Sequence, residues 1–191
     1  MSGSAKLKVC GVSDTAFAVA AEARGVDYLG FIFAEGSPRR VTPDEAAAIT
    51  ARLSGAARRV GVFVRETPDE IVRVMRHAGL DVVQLHRRAS EADVAALHAA
   101  GYEVWTLAGG APGDAVLFDS SHGDGETALR RGPWRTVLAG GISAENVDEA
   151  PALGPDVVDV SGSLETAPGR KDVALLDEFL GVFCAKAKGI R

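Results

Sequence analysis

The stretch "DYLGFIFAEGSPRRVTPDEAAAI", Asp27–Ile49, changes its character halfway along. Asp27–Phe33 is almost continuously apolar and aromatic, as a strand buried on both faces should be. From Thr42 the signals are helical. Thr42 stands before Pro43 and three residues ahead of Glu45. That is a capping box with proline at the first helical position. "RRVGVFV" at Arg58–Val64 is strand-like again, so the segment reads as one β–α–β unit.

Outward from this unit the pattern repeats. Apolar, β-branched runs occur at "KLKVC", "DYLGFIF", "RRVGVFV", "DVVQLH", "EVWTL", "AVLFD", "RTVLA" and "DVVDVS". Helical segments with start signals lie between most of them. "ETPDEIVRVM" repeats the capping box at Thr67, Ser90 pairs with Asp93, and Ser143 offers a cap in "GISAENV". Ile71, Val74, Met75 and Ala78 form a core-facing stripe. Strands alternating with helices imply parallel pairing and right-handed crossovers. Between an open doubly wound sheet and a closed barrel, eight units favour the α/β fold of a (β/α)₈ TIM barrel.

That barrel is compact, because the chain has 191 residues and the fold typically uses about 250. Only "AGGAPGD", residues 108–114, separates the fifth and sixth strands. A strand of about five residues is about 17 Å long and seven extended residues reach about 23 Å, so the spacing predicts a return without a fifth helix. "SSHGDGETALRRGPW" after the sixth strand leaves room for a shortened sixth helix. No linker or repeat divides the chain, and residues 1–191 read as a single barrel domain.

Composition narrows the partners. A net charge of −5 argues against nucleic acid and anionic membranes. The arginine pairs at 58–59, 87–88 and 130–131 read as solvated faces. "MSGSAKLK" lacks the apolar core of a signal peptide, and no run suits a membrane span. Two cysteines far apart make no disulfide framework, and the expected compartment is the reducing cytoplasm.

In a barrel, the strand ends gather around one mouth. Here they bring Cys10, the loop "AEGSPRR" after Phe33, Gln84 and His86, Asp119, "AGG" at Ala139–Gly141, and "DVSGS" at Asp159–Ser163. The turns after the seventh and eighth strands are where barrels commonly bind phosphate, and glycine lets the backbone approach an anion. Gly140, Gly141, Ser161, Gly162 and Ser163 are the candidate phosphate residues. His86 reads equally as pocket lining or as a packed histidine, while His77, His98 and His122 read as incidental. Cys184, near Phe179, Leu180 and Phe183, reads as a small core hydrophobe. No histidine pair has metal-ligand spacing, no Cys-x-x-Cys occurs and no G-x-G-x-x-G follows a strand, so no metal or dinucleotide site is expected.

"KVCGVSD", "DYLGFIFAEGSPRRVTPDEA", "RRVGVFV", "VVQLH", "VLFDS", "LAGGISAENV" and "VVDVSGSLETAPGRKD" together resemble, in order, the motifs of the phosphoribosylanthranilate isomerase family. The resemblance implies a (β/α)₈ barrel in tryptophan biosynthesis that takes a small phosphosugar substrate without metal or cofactor, as a monomer or homodimer. N-(5-phosphoribosyl)anthranilate would become 1-(2-carboxyphenylamino)-1-deoxyribulose 5-phosphate by an Amadori rearrangement. Cys10 resembles the family's general base and Asp119 its general acid. Arg39 matches the arginine that grips the anthranilate carboxylate, and Gln84 and His86 match pocket positions. The chain departs from the family at Arg87, where glycine is usual, at "DVSGSLE" in place of "DVSSGVE", and in the loop after the sixth strand, reduced to "GDGET" at Gly123–Thr127. Two alternatives stand beside this reading. One is a related aminoaldose isomerase of histidine biosynthesis, which carries a carboxylate where this chain has Cys10. The other is a barrel that binds a phosphosugar without turning it over.

Overall fold

The structure, a computed structural model, describes residues 5–120, 132–147 and 154–189. Eight parallel strands close into a barrel in chain order: β1 (Lys6–Cys10), β2 (Tyr28–Ile32), β3 (Arg58–Phe63), β4 (Val82–Leu85), β5 (Glu103–Leu107), β6 (Ala115–Asp119), β7 (Arg135–Ala139) and β8 (Val157–Val160). Closure is made by β8 pairing with β1, with Asp159 opposite Lys8. Outside the barrel lie α1 (Thr15–Ala23), α2 (Pro43–Thr50), α3 (Pro68–Ala78), α4 (Glu91–Ala99) and α5 (Val173–Gly189). A 3₁₀ turn at Gly162–Leu164 leads into a hairpin of β9 (Glu165–Ala167) and β10 (Arg170–Lys171) on the C-terminal side of the barrel.

The helix starts follow the local chemistry. Asp14 caps α1 by accepting from the Phe17 N–H at 2.7 Å. Thr42, Thr67 and Ser90 close reciprocal capping boxes with Glu45, Glu70 and Asp93. Residues 108–114, between β5 and β6, hold turns and bends with no helix. This return is tied down: the Ala111 N–H donates to Ala89 O at 2.9 Å and the Asp114 N–H to Val104 O at 2.8 Å. The stretch expected to hold a shortened sixth helix, together with "GDGET", His122 and Arg130–Arg131, lies outside the described residues.

Side chains alternate across each strand, so the barrel has two cores. The inner one packs Cys10, Tyr28, Val60, Val62, Val82, Trp105, Leu117, Val137 and Val157. The outer one joins the opposite strand faces to the helices through residues such as Leu29, Phe31, Ile71, Met75 and Phe179. Tyr28 and Trp105 meet edge to face at 4.9 Å in the inner core.

Two expectations are corrected. The arginines at 58, 59 and 87 are paired rather than simply solvated: Arg58 with Glu103, Arg59 with Asp81 at 2.7 Å and Arg87 with Asp93 at 2.7 Å. Each lies at or just past a strand end, where a carboxylate at or near the start of another element comes within reach: Glu103 opens β5, Asp81 precedes β4 and Asp93 lies in the first turn of α4. Arg87 thereby braces the start of α4. Cys184 is exposed, not core. Leu176 and Phe179 face inward on α5. The residue eight positions past Leu176 has rotated about 80° from that stripe. No helix among the described residues is long and apolar enough to cross a membrane.

Candidate active site

A cavity of about 480 Å³ opens at the C-terminal ends of the strands. Cys10 lines it at the end of β1, Gln84 and His86 at the end of β4, and Asp119 at the end of β6. Arg39 enters from the loop between β2 and α2, and Gly140, Gly141, Ser161, Gly162 and Ser163 border it on the β7–β8 side. All ten candidates drawn from the sequence therefore line one cavity.

The glycine after Cys10 has a steric reason. Gly11 turns at φ 78°, and both its N–H and that of Val12 donate to Gly30 O at 2.9 Å. A methyl group on Gly11 would meet Arg39 Cδ at 2.5 Å. Bare backbone here lets Arg39 lie across the end of β1. Cys10 itself is buried, with 8% of its surface exposed at the cavity. Burial raises its thiol pKa above the usual value and Asp159 adds to the rise; Lys8 and Lys171 oppose it without overcoming it.

Beside Cys10 lies a pair that strand reading alone did not single out. Lys8 is fully buried inside the barrel, and its Nζ donates to Asp159 Oδ2 at 2.6 Å. Burial works against the Lys8 charge, but Asp159 and the Cys10 sulfur outweigh it and hold the ammonium above its usual range. The available signal was a charge within an apolar run: Lys8 between Leu7 and Val9 in "KLKVC", and Asp159 between Val158 and Val160 in "VVDV".

At the rim, Arg39 forks onto Glu165, Nε donating to Oε1 at 2.7 Å and Nη2 to Oε2 at 2.8 Å. Lys171 donates to the same Oε1 at 2.6 Å and to Ser161 O at 3.2 Å. Burial works against Glu165, yet the two cations hold its carboxyl at about 2. Burial in turn lowers Lys171, with Glu165 opposing. This triad fixes the β9–β10 hairpin to the β2–α2 loop, and neither Glu165 nor Lys171 was marked out by the sequence.

On the opposite side, His86 Nε2 stands 3.7 Å from Asp119 Oδ2, and His86 Nδ1 lies 3.5 Å from Gln84 Nε2. Gln84 Oε1 and Asp159 Oδ1 are buried acceptors that no donor among the described residues satisfies. On the β7–β8 side, Gly140 and Gly141 carry φ values of 91° and 65° in succession. Ser163 Oγ donates to Ile142 O at 2.7 Å, tying the two glycine-rich turns together. Ser161 Oγ donates to Cys10 O at 3.0 Å, joining them to the thiol's strand. Among the described residues no cluster of His, Cys, Asp or Glu could hold a metal ion.

The arrangement offers a thiol, a carboxylate and a carboxylate-binding arginine around a polar-floored cavity, with glycine turns beside it. Such a set suits proton transfer on a small anionic substrate. Residues 7–182 match the family model described as N-(5'phosphoribosyl)anthranilate (PRA) isomerase. The chain is 37% identical over 200 residues to the N-(5'-phosphoribosyl)anthranilate isomerase of Rubrobacter xylanophilus, covering 92% of this chain and 97% of that one. The fold superposes on the phosphoribosyl anthranilate isomerase of Thermus thermophilus with a TM-score of 0.83 and 33% identity, over 94% of this chain and 98% of that one. A further isomerase structure, bound to reduced 1-(o-carboxyphenylamino)-1-deoxyribulose 5-phosphate, matches with a TM-score of 0.79 and 30% identity, over 97% of this chain and all of that one.

Proposed function

The chain belongs to the N-(5'-phosphoribosyl)anthranilate isomerase family, and from that membership we propose how its own residues divide the reaction. The enzyme converts N-(5-phosphoribosyl)anthranilate to 1-(2-carboxyphenylamino)-1-deoxyribulose 5-phosphate, an intramolecular redox isomerisation of tryptophan biosynthesis. In the proposed mechanism Asp119 gives its proton to the ring oxygen, the C1–O bond breaks, and the nitrogen lone pair forms the Schiff base. Cys10, as thiolate, takes the C2 proton, and the freed electron pair forms the C1–C2 double bond of the enolamine, which tautomerises to the ketone.

The observation that carries this reading is that Cys10 and Asp119 end β1 and β6, two strands separated by β7 and β8, and line the same cavity. An acid and a base must reach one sugar from different sides, and positions apart on a barrel rim supply that. His86, beside Asp119, and Gln84, beside His86, line the pocket and orient the acid. Arg39, whose Nε and Nη2 donate to Glu165, turns the rest of its guanidinium and its charge to the anthranilate carboxylate. The phosphate lies against the backbone of Gly140–Gly141 and Ser161–Gly162–Ser163, where the absence of side-chain bulk at three of the five positions permits close approach. The scheme needs no metal or cofactor, and we place the enzyme, one barrel domain as monomer or homodimer, in the cytoplasm.

Purified protein should consume phosphoribosylanthranilate in a continuous fluorescence assay. Tight binding of the phosphosugar without turnover would instead support a non-catalytic barrel.

A further inference from the structure

A fully buried lysine is costly, and replacing a buried ion pair by apolar side chains of similar volume is often neutral or stabilising. Lys8 is therefore poorly explained as packing. Its position is specific. Lys8 and Cys10 are two residues apart on β1, so both side chains point into the barrel, with Cys10 nearer the mouth. Gly30, on the neighbouring strand, leaves the space that both use: a methyl group there would come within 3.0 Å of Cys10 Sγ and 3.3 Å of Lys8 Cε. The ammonium has three protons. One is taken by Asp159 Oδ2, and the ammonium's charge acts on the Cys10 sulfur, which borders the same gap over Gly30.

We propose that Lys8 is a positioning residue for the reaction: its ammonium, anchored by Asp159, favours the thiolate form of the Cys10 sulfur at the cavity against the cost of burial. The inference rests on Cys10 being the base. In each turnover one proton passes from substrate C2 to the sulfur and is later released, while Lys8 keeps its protons throughout.

The other charges around Cys10 do not replace it. Lys171, from β10, and Arg39, from the β2–α2 loop, both face the thiol, but both are committed to Glu165. Asp159, from β8, opposes thiolate formation and is itself faced by His86 and Asp119. Lys8 is the first of the groups that favour the charged sulfur. A negative sulfur beside a fixed, desolvated cation gains most where water is absent.

The test is the pH dependence of alkylation by iodoacetamide in a Cys184→Ser background, where Cys10 is the single thiol. Lys8→Met should raise the midpoint of the alkylation profile by about one pH unit or more, and slow alkylation at pH 7 by about tenfold or more. The kcat profile should move the same way, with KM nearly unchanged. If loss of the cation leaves Asp159 stranded and Lys8→Met fails to fold, Lys8→Met/Asp159→Asn removes both charges and should still show a raised midpoint. An unchanged or lowered midpoint in either folded variant would overturn the proposal, since a structural pair alters the melting temperature and not the thiol. Alkylation reads the Lys8–Cys10 coupling even if Cys10 is not the base, whereas turnover of Cys10→Ser reads the base itself, so the two failures are distinguishable.

Discussion

Gly30 pairs with Cys10 across β1 and β2, and a methyl group on it would lie 3.0 Å from the Cys10 sulfur and 3.1 Å from the Cys10 Cα. The second contact is with backbone, which cannot swing aside. Gly30→Ala should therefore cost about 1–3 kcal/mol of stability by overpacking, and displace the thiol enough to lower kcat. Thermal melting and steady-state kinetics on the same sample check both. Native turnover in Gly30→Ala would mean that the position of the sulfur tolerates more than proton transfer should allow.

Cys10→Ser keeps the shape but substitutes a hydroxyl far harder to ionise. A general acid or base typically contributes about 10²–10⁴-fold, and kcat should fall by at least that range while binding of a product analogue survives. Cys184→Ser should leave turnover unchanged, because that thiol is exposed on α5 and remote from the cavity lining. Near-native activity of Cys10→Ser would remove the proposed base.

Asp119→Asn should lower kcat by a similar factor, with no comparable change in KM, by removing the proton donor to the ring oxygen. A loss confined to KM would assign Asp119 to binding instead.

Arg39→Ala should chiefly raise KM, as a charge-assisted grip on the substrate carboxylate is lost. It also leaves Glu165 with Lys171 alone, so the melting temperature should fall too. Arg39→Lys keeps the charge but not the fork and should restore stability better than KM.

Glu165 sets an acid limit. Its carboxyl is held at about 2, below its ordinary value of 4.5. Its contribution is therefore fully present above about pH 4.5 and is lost progressively as pH falls towards 2. Glu165→Gln should destabilise the protein at neutral pH, by roughly 1.5–3 kcal/mol for lost charge-assisted bonds, and flatten the fall in stability between those pH values. Denaturant melts at pH 7 and pH 3.5 would show whether the difference between wild type and variant shrinks in acid.

How much of this was legible in the chain depends on the range of the interaction. The capping boxes at Thr42, Thr67 and Ser90 join residues three apart, so their spacing in the sequence is already their geometry. The eight strands were legible because burial on both faces leaves an apolar run wherever it occurs. Position at a strand end was enough to bring Cys10, Gln84, His86 and Asp119 to one rim, since the barrel maps all strand ends to one side. The pairing of the arginines at 58, 59 and 87 was not legible, because no local pattern names a partner on another element.

The chain by itself thus determined the alternation, the helix starts and the membership of the rim, all consequences of local spacing and period. Closure of the barrel decided the rest. It set Lys8 against Asp159 across 151 residues and Arg39 against Glu165 across 126. It also left Cys184 on the outer side of α5, a matter of helix rotation that nearby phenylalanines did not reveal. An ion pair between distant residues depends on which strand closes on which and on the water that closure removes, and neither quantity exists until the barrel does.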